Sequence, residues 1–151
     1  MIVVSAEEMR ELDRLTIQRF GVPSLTLMER AGKEIAQAIL ERFGGNAKKG
    51  VLIVAGKGNN GGDGFVIARL LKQKRISCEV ALLARTDELS PDAGHNLRAF
   101  LKLKGKVTEI ASDNLALLRQ RLSKNGLIVD AILGTGMKSE EIGRASCRER
   151  V

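Results

Sequence analysis

A glycine-rich loop between an apolar run and an amphipathic segment constrains the fold of this chain more than any other feature. Residues 51–71 read VLIVAGKGNNGGDGFVIARLL, and the loop holds five glycines together with Asn59, Asn60 and Asp63. Because glycine has no Cβ, backbone N–H groups in such a loop can approach an anion. A helix that begins directly afterwards adds the positive end of its dipole. The loop therefore predicts a strand, a phosphate-binding turn and a helix.

Strands and helices are predicted to alternate regularly after residue 50. The predicted strands cover residues 51–55, 77–83, 106–110 and 127–132, and the predicted helices run from about Asp63 to Lys74, over 91–104 and over 114–123. The strand segments are apolar without a period of two, so each is expected to be buried on both faces. Strands joined by crossover helices form a parallel sheet. The predicted fold is α/β, a three-layer α/β/α Rossmann-like sandwich with a mainly parallel sheet.

Two helices are expected before the first strand. Ser5 begins a capping-box pattern for a first helix over residues 6–20. Ser24 is expected to cap a second helix, which Gly44 and Gly45 should end. An ordinary dinucleotide-binding unit does not need this N-terminal extension.

Length and composition exclude several classes of protein. With 151 residues, the chain suits one α/β domain. No spacing of cysteine and histidine suggests a zinc site or a disulfide framework: Cys78 falls in a predicted buried strand, and His95 is the only histidine. The net charge of +7 suits anionic ligands, but the chain lacks Trp and Tyr for stacking bases, so no nucleic-acid partner is expected. The sequence shows no signal or membrane-spanning segment, which favours a cytoplasmic protein without a membrane partner.

A second loop of special composition follows the last predicted strand. The segment IVDAILGTGM places Asp130 at the end of that strand. Because the carboxyl ends of parallel strands share one edge of a sheet, the two loops are expected to meet. Asn60 and Asp130 would then present oxygen atoms, which suit a hard cation better than zinc or copper. A functional role is favoured for Asp130, whereas for Asp63 helix N-capping and function stay equally open.

An ordinary nicotinamide dehydrogenase is a weaker interpretation of the same loop. Gly56, Gly58 and Gly61 match the GxGxxG fingerprint of dinucleotide-binding folds. That fingerprint expects an acidic residue about 20 positions later to hold the ribose. Here the second strand is followed by Arg85, and acidic residues appear only from Asp87 onward. A P-loop is excluded because no GK[ST] follows the glycines.

At these residues the chain closely resembles the YjeF N-terminal domain family, the NAD(P)H-hydrate epimerases. The matching segments are SAEEMRELDRLTIQRFGVPSLTLMERAG, GKGNNGGDGFVIARLL and DAILGTG. They extend from Ser5 to about Lys138. The resemblance implies an isomerase that interconverts the R and S epimers of hydrated NADH and NADPH in nicotinamide cofactor repair, with a potassium ion as cofactor.

The resemblance also implies roles for particular residues. Asn60 and Asp130 would hold the potassium ion, and Asp130 would assist catalysis at the hydrated carbon. The hydrated dinucleotide would be bound by two loops, which contain Asn59, Asn60, Gly61, Gly62, Asp63, Gly134, Thr135, Gly136, Met137 and Lys138. A homodimer, and a NAD(P)H-hydrate dehydratase as a separate or fused functional partner, are implied by the family alone.

The end of the chain departs from the family pattern. Family members continue past the GTG loop through further strands to a DIPSG-like segment, whereas residues 141–151 read EIGRASCRERV. Residues 1–140 are therefore expected to form an epimerase domain that is incomplete at its C-terminus, followed by a non-native tail over 141–151. Such a chain is expected to be a poor epimerase.

A non-catalytic module of the same fold is the alternative function, able to bind a nucleotide or to serve as a scaffold with RNA or protein partners. Relatives of this domain occur in an mRNA-decapping scaffold and in an apolipoprotein A-I-binding protein. The intact NNGGDG segment and Asp130 favour the enzyme, because a scaffold has no need to retain ligands for both a cation and a phosphate.

Overall fold

Four parallel strands form one sheet in the computed structural model, which describes residues 4–134. The strands are β1 (Val51–Ala55), β2 (Cys78–Leu82), β3 (Lys106–Glu109) and β4 (Leu127–Ala131). The helices are α1 (Ala6–Gln18), α2 (Ser24–Ala47), α3 (Asn59–Gln73), α4 (Pro91–Lys102) and α5 (Leu115–Lys124). The predicted α/β class, the parallel sheet and the two N-terminal helices are confirmed.

The strand order, β3-β2-β1-β4, places a switch between β1 and β4. The chain moves outward from β1 through β2 to β3, and then crosses back to add β4 on the other side of β1. In register, Ala55 at the end of β1 lies between Leu82 of β2 and Ala131 of β4. In open α/β sheets, ligands bind beyond the carboxyl ends of the strands at such a switch. The loops that follow β1 and β4 flank this position.

Apolar side chains on alternate positions of the strands fill two cores, one on each face of the sheet. Val51, Ile53 and Ala55 point into the larger core, under α2, α3 and α4. Leu52 and Val54 point into the smaller core, under α5. Cys78 lies in the larger core, and burial there raises the pKa of its thiol to about 12. The thiol is free and neutral at physiological pH, as expected from the sequence.

Both boundaries of α2 differ from the prediction. Helix α2 begins at Ser24 with Pro23 at the capping position, so the interpretation of Ser24 as a cap is wrong; its hydroxyl instead donates to the carboxylate of Asp92, in the first turn of α4. The helix also continues through the two glycines to Ala47, across a non-helical residue at Phe43. Burial of Ala47 against the larger core holds this last turn in place.

Within residues 4–134, no helix combines the length and the apolar composition that crossing a bilayer requires.

Helix α3 begins at Asn59, about one turn before the predicted start. Gly58 is its capping residue, and Asp63 lies in the second turn. The interpretation of Asp63 as an N-cap is therefore wrong. The helix starts earlier because Gly61, Gly62 and Gly64 are helical and buried. Without side chains, they allow the first turns of α3 to approach neighbouring elements closely.

Candidate functional site

The glycine loop folds tightly onto itself and onto the segment after β4. The amide of Gly56 donates to the carbonyl of Ala131 at 3.0 Å. A Cβ added at Gly56 would lie 2.1 Å from the carbonyl oxygen of Ile132, and one added at Gly61 would lie 1.9 Å from the carbonyl oxygen of Gly56. Both partners are backbone atoms, which cannot move aside as a flexible side chain can. Glycine at these two positions is therefore required by packing.

The N-terminus of α3 opens toward the carboxyl edge of the sheet. The first helical hydrogen bond runs from the amide of Gly62 to the carbonyl of Gly58 at 3.1 Å. The amides of Asn59, Asn60 and Gly61 lie before that bond and have no acceptor within the helix. A Cβ added at Gly58 would meet no atom within 4 Å. The space, the free amides and the helix dipole together form a site for an anion such as a phosphate group.

Asn60 joins this loop to the loop after β4. Its side-chain Nδ2 donates to the carbonyl of Leu133 at 3.0 Å. Because a backbone carbonyl can only accept, its partner on Asn60 must be the NH2 group, which assigns the amide orientation and leaves Oδ1 as an unused acceptor. A Cβ added at Gly134 would lie 3.1 Å from Asn60 Cβ, so the two loops are in contact. The predicted meeting of the loops is confirmed.

Asp130 is exposed and bonds to the same short stretch of backbone. Its Oδ1 accepts a hydrogen bond from the amide of Ile132 at 2.9 Å. Asn60 and Asp130 thus contact the same short segment, at the carbonyl of Leu133 and the amide of Ile132, and each keeps one oxygen free of these contacts. Oxygen donors of this kind fit potassium. Among residues 4–134, no group of three or more His, Cys, Asp or Glu side chains is arranged to hold a metal ion.

A third loop, between β2 and α4, also reaches the glycine loop. The hydroxyl of Ser90 donates to Asn59 Oδ1 at 3.0 Å, and the amide of Ser90 donates to the carbonyl of Lys57 at 3.0 Å. The same hydroxyl accepts from Ala93 and so caps α4. The Ser-Pro pair in the sequence predicted this cap. The contact of Ser90 with Asn59 was not predictable from local sequence, because the two residues lie 31 positions apart.

Asp63 is half-buried in the second turn of α3. Loss of solvent, followed by repulsion from Asp13 of α1, raises the pKa of its carboxyl to about 6. A carboxyl group with such a pKa carries a proton part of the time near neutral pH. Perturbed groups of this kind occur often at functional sites and also in purely structural positions.

The structure separates the predicted site residues into two groups. Asn59, Asn60 and Asp63 retain exposed surface, whereas Gly61 and Gly62 are buried. Gly62 packs under α2, where an added Cβ would lie 2.6 Å from the sulfur of Met28. The face of α3 that carries Gly62 therefore packs against α2. Four other predicted residues lie outside the described part of the chain: Thr135, Gly136, Met137 and Lys138.

These features define a class of protein, a doubly wound α/β domain with a glycine-rich helix N-terminus at the switch in strand order. Comparison with known proteins then identifies the family. Residues 24–146 match the family described as YjeF-related protein N-terminus. The chain belongs to this family.

Curated relatives agree with this assignment. The chain is 41% identical over 145 residues to the Bifunctional NAD(P)H-hydrate repair enzyme Nnr of Moorella thermoacetica, which covers 95% of the chain and 27% of the relative. It is 36% identical over 142 residues to the NAD(P)H-hydrate epimerase of Oenococcus oeni, which covers 94% of the chain and 63% of the relative. The chain thus spans less than two thirds of either relative.

A solved structure shows the same fold. The crystal structure of yeast ynu0 superposes with a TM-score of 0.78 at 29% sequence identity, covering 98% of the chain and 65% of the yeast chain.

The proposed division into a domain over residues 1–140 and a non-native tail over 141–151 stays a prediction.

Proposed function

We propose that the chain is an NAD(P)H-hydrate epimerase domain, an isomerase that interconverts the R and S epimers of hydrated NADH and NADPH. One observation carries the proposal: the bond between Asn60 and Leu133 joins the loops after β1 and β4 beside the free amides of α3. The names of the relatives supply the reaction. The role in cofactor repair is part of the same proposal.

The substrate would be oriented mainly by backbone groups. The free amides at the start of α3 suit a phosphate of the dinucleotide, because they carry fixed partial positive charge and need no reorganisation when the anion arrives. Asn59 and Asp63 offer side-chain contacts at the same end of the helix, and Gly134 begins the opposite wall. Holding the substrate in one geometry is itself a contribution to rate.

A potassium ion fits the oxygen donors present. Asn60 Oδ1 and the carboxylate of Asp130 would hold it, since the hydrogen bonds to Leu133 and Ile132 orient both side chains. When bound, the ion would supply a fixed positive charge near the substrate. The carboxylate of Asp130 is also the proposed group that assists at the hydrated carbon, where a positioned base or acid lowers the barrier to proton transfer.

Partners and location follow from the proposed reaction. A cytoplasmic protein would meet damaged NADH and NADPH where these cofactors are used. A NAD(P)H-hydrate dehydratase, separate or fused, would consume the product, which is consistent with the word bifunctional in the name of the Moorella relative. A homodimer belongs to the same proposal.

The test is a direct assay of epimer exchange. One purified epimer of NADPH hydrate is incubated with the chain, and the R-to-S ratio is followed by chromatography, in potassium chloride and in choline chloride. We expect exchange that requires potassium, and a loss of about 100-fold in rate for Asp130→Ala, the size typical of a lost acid or base. Asp113→Ala, which removes an exposed carboxylate from the turn after β3, is the matched control.

Binding measurements separate this proposal from the alternative module. If the hydrate binds but no epimer exchange occurs in either salt, and a version extended to include the missing strands is also inactive, the domain is a non-catalytic nucleotide-binding module. If Asp130→Ala exchanges the epimers at the wild-type rate, the assignment of that carboxylate is wrong.

A further inference from the structure

The loop between β2 and α4 lies at the same edge of the sheet as the proposed site. It continues directly from β2, since the amide of Leu83 donates to the carbonyl of Ala55 at 2.8 Å. It ends at Ser90, whose hydroxyl bonds to Asn59 of the glycine loop. In doubly wound nucleotide-binding folds, the loop after the second strand receives the adenosine ribose, where an acidic residue accepts from a 2′-hydroxyl or an arginine binds a 2′-phosphate. In this chain the acidic residues of the loop lie beyond Arg85 and not at the strand end itself.

The hydrogen-bond donors that begin this loop are already used by carboxylates. The amide of Arg85 donates to Glu88 at 2.9 Å, and the amide of Thr86 donates to Glu109, which ends β3, at 2.9 Å. The guanidinium of Arg85 is held by both oxygens of Asp87, at 3.0 Å from Nε and 2.7 Å from Nη2. A phosphate at this place would have to displace a carboxylate from each of these donors.

The local charge also opposes a second anion. Arg85 faces Asp87, Glu88 and Glu109, and all three carboxylates raise the pKa of its guanidinium, with Asp87 the largest cause. One cation against three carboxylates leaves this part of the edge negative. The neighbouring glycine loop differs in charge, because it carries a cation, Lys57, directly before Gly58 at the N-terminus of α3.

We infer that this loop selects the hydrate whose adenosine ribose carries a free 2′-hydroxyl, so that NADH hydrate is preferred over NADPH hydrate. The inference rests on the proposed function. Carboxylate oxygens accept a hydrogen bond from a hydroxyl without losing their present partners, because each oxygen has a second lone pair. A 2′-phosphate brings almost two further negative charges and no donor.

Capture of Arg85 by the phosphate does not reverse this preference. The pair with Asp87 is exposed, at 74% and 63% of the two side chains, so exchanging it costs little. The released Asp87 would then lie beside the phosphate, together with Glu88 and Glu109. The phosphate gains one cation and meets three carboxylates.

Two stable nucleotides test the inference without requiring turnover. Binding of ADP-ribose and of 2′-phospho-ADP-ribose to the 151-residue chain is measured by calorimetry at low ionic strength. We expect ADP-ribose to bind about tenfold more tightly, a difference that a few screened charge contacts supply. The ratio of kcat/KM for the two hydrates in epimer exchange should follow the same order.

The substitution Asp87→Asn removes one negative charge and releases Arg85. We expect it to reduce the preference for ADP-ribose to less than about threefold. Glu34→Gln makes the same change of charge on the exposed surface of α2 and should leave the preference unchanged.

The outcomes separate this inference from the proposed function. Equal or tighter binding of 2′-phospho-ADP-ribose overturns the inference alone, as does a preference that Asp87→Asn leaves intact. Absence of binding for both nucleotides contradicts the nucleotide site itself, and the proposed function and the inference then fail together.

Discussion

The two faces of the sheet are covered very unequally. Under α2, α3 and α4, side chains such as Ile53, Val80 and Phe65 have no exposed surface. Under α5, the core is smaller, and no residue of the helix itself is buried. On the same face, Ile128 of β4 is 48% exposed. Because stabilisation by apolar groups scales with the area removed from water, the first face supplies most of the stability of the described part.

Polar contacts add to the limited apolar packing on the thinner face. Glu79 of β2 points toward α5, where its carboxylate pairs with Arg121 and accepts from Asn125 at 3.0 Å. The paired side chains of Arg121 and Glu79 are only 12% and 18% exposed. The difference between the faces shows that one sheet can dock one helix layer mainly by fully buried apolar packing and the other by partly buried leucines together with an ion pair.

The largest expected difference between the faces concerns a matched pair of isoleucines. Ile53→Ala leaves a cavity in the fully buried core and should lower the free energy of unfolding by about 4 kcal/mol. Ile128→Ala, on the neighbouring strand but half exposed, should lower it by less than about 1 kcal/mol. Urea denaturation of both variants measures the difference. Similar losses would show that the second face is as well packed as the first.

A smaller effect is expected from the ion pair that docks α5. Glu79→Gln leaves the buried guanidinium of Arg121 without its counter-charge and should cost about 2 kcal/mol. Amide hydrogen exchange should become faster in α5 than in α3. Lys106→Gln is the control, because its Nζ lies 3.9 Å from the same carboxylate and its side chain is 68% exposed, so its loss should cost less than about 0.5 kcal/mol. Unchanged exchange in α5 would argue against docking by Glu79.

The smallest expected effect on the free energy of unfolding concerns Asp63 of α3, a titratable group on the densely packed face of the sheet. Its pKa rises from 3.8 to about 6 on folding, so the folded state binds the proton more tightly than the unfolded state. Stability should therefore fall as pH rises from about 4 to about 6 and stay lower above that range, by less than about 2 kcal/mol after solvent screening. Asp63→Asn should remove this part of the pH dependence. Asp113→Asn should retain it, and a wild-type profile without the decrease would contradict the perturbed pKa.

Local sequence patterns predicted the elements of the fold and much of the site. The alternation of apolar runs and amphipathic segments located all four strands of the described part and their helices to within a few residues. The meeting of the two loops also followed, since strand ends in a parallel sheet share an edge, and the bond between Asn60 and Leu133 confirms it.

Features that depend on distant partners escaped the sequence. Ser24 has the chemistry of a cap, but the carboxylate of Asp92 takes its hydroxyl. Asp63 looked like a cap because glycine-rich segments are usually loops, whereas burial carries the helix four residues further toward β1. The contact of Ser90 with Asn59 joins two loops, and nothing near either residue indicates it.

The sequence alone determined that this chain is an α/β domain with a glycine-rich loop between a strand and a helix, because periodicity and glycine content act over a few residues and do not depend on distant contacts. The tertiary structure decided how the loop is used. Glycine is required at Gly56 by the backbone of Ile132, just after β4, and at Gly61 by the backbone of Gly56, whereas Gly58 faces open space. The contact of Gly56 with Ile132 joins residues far apart in the chain, so only folding brings their atoms within contact distance.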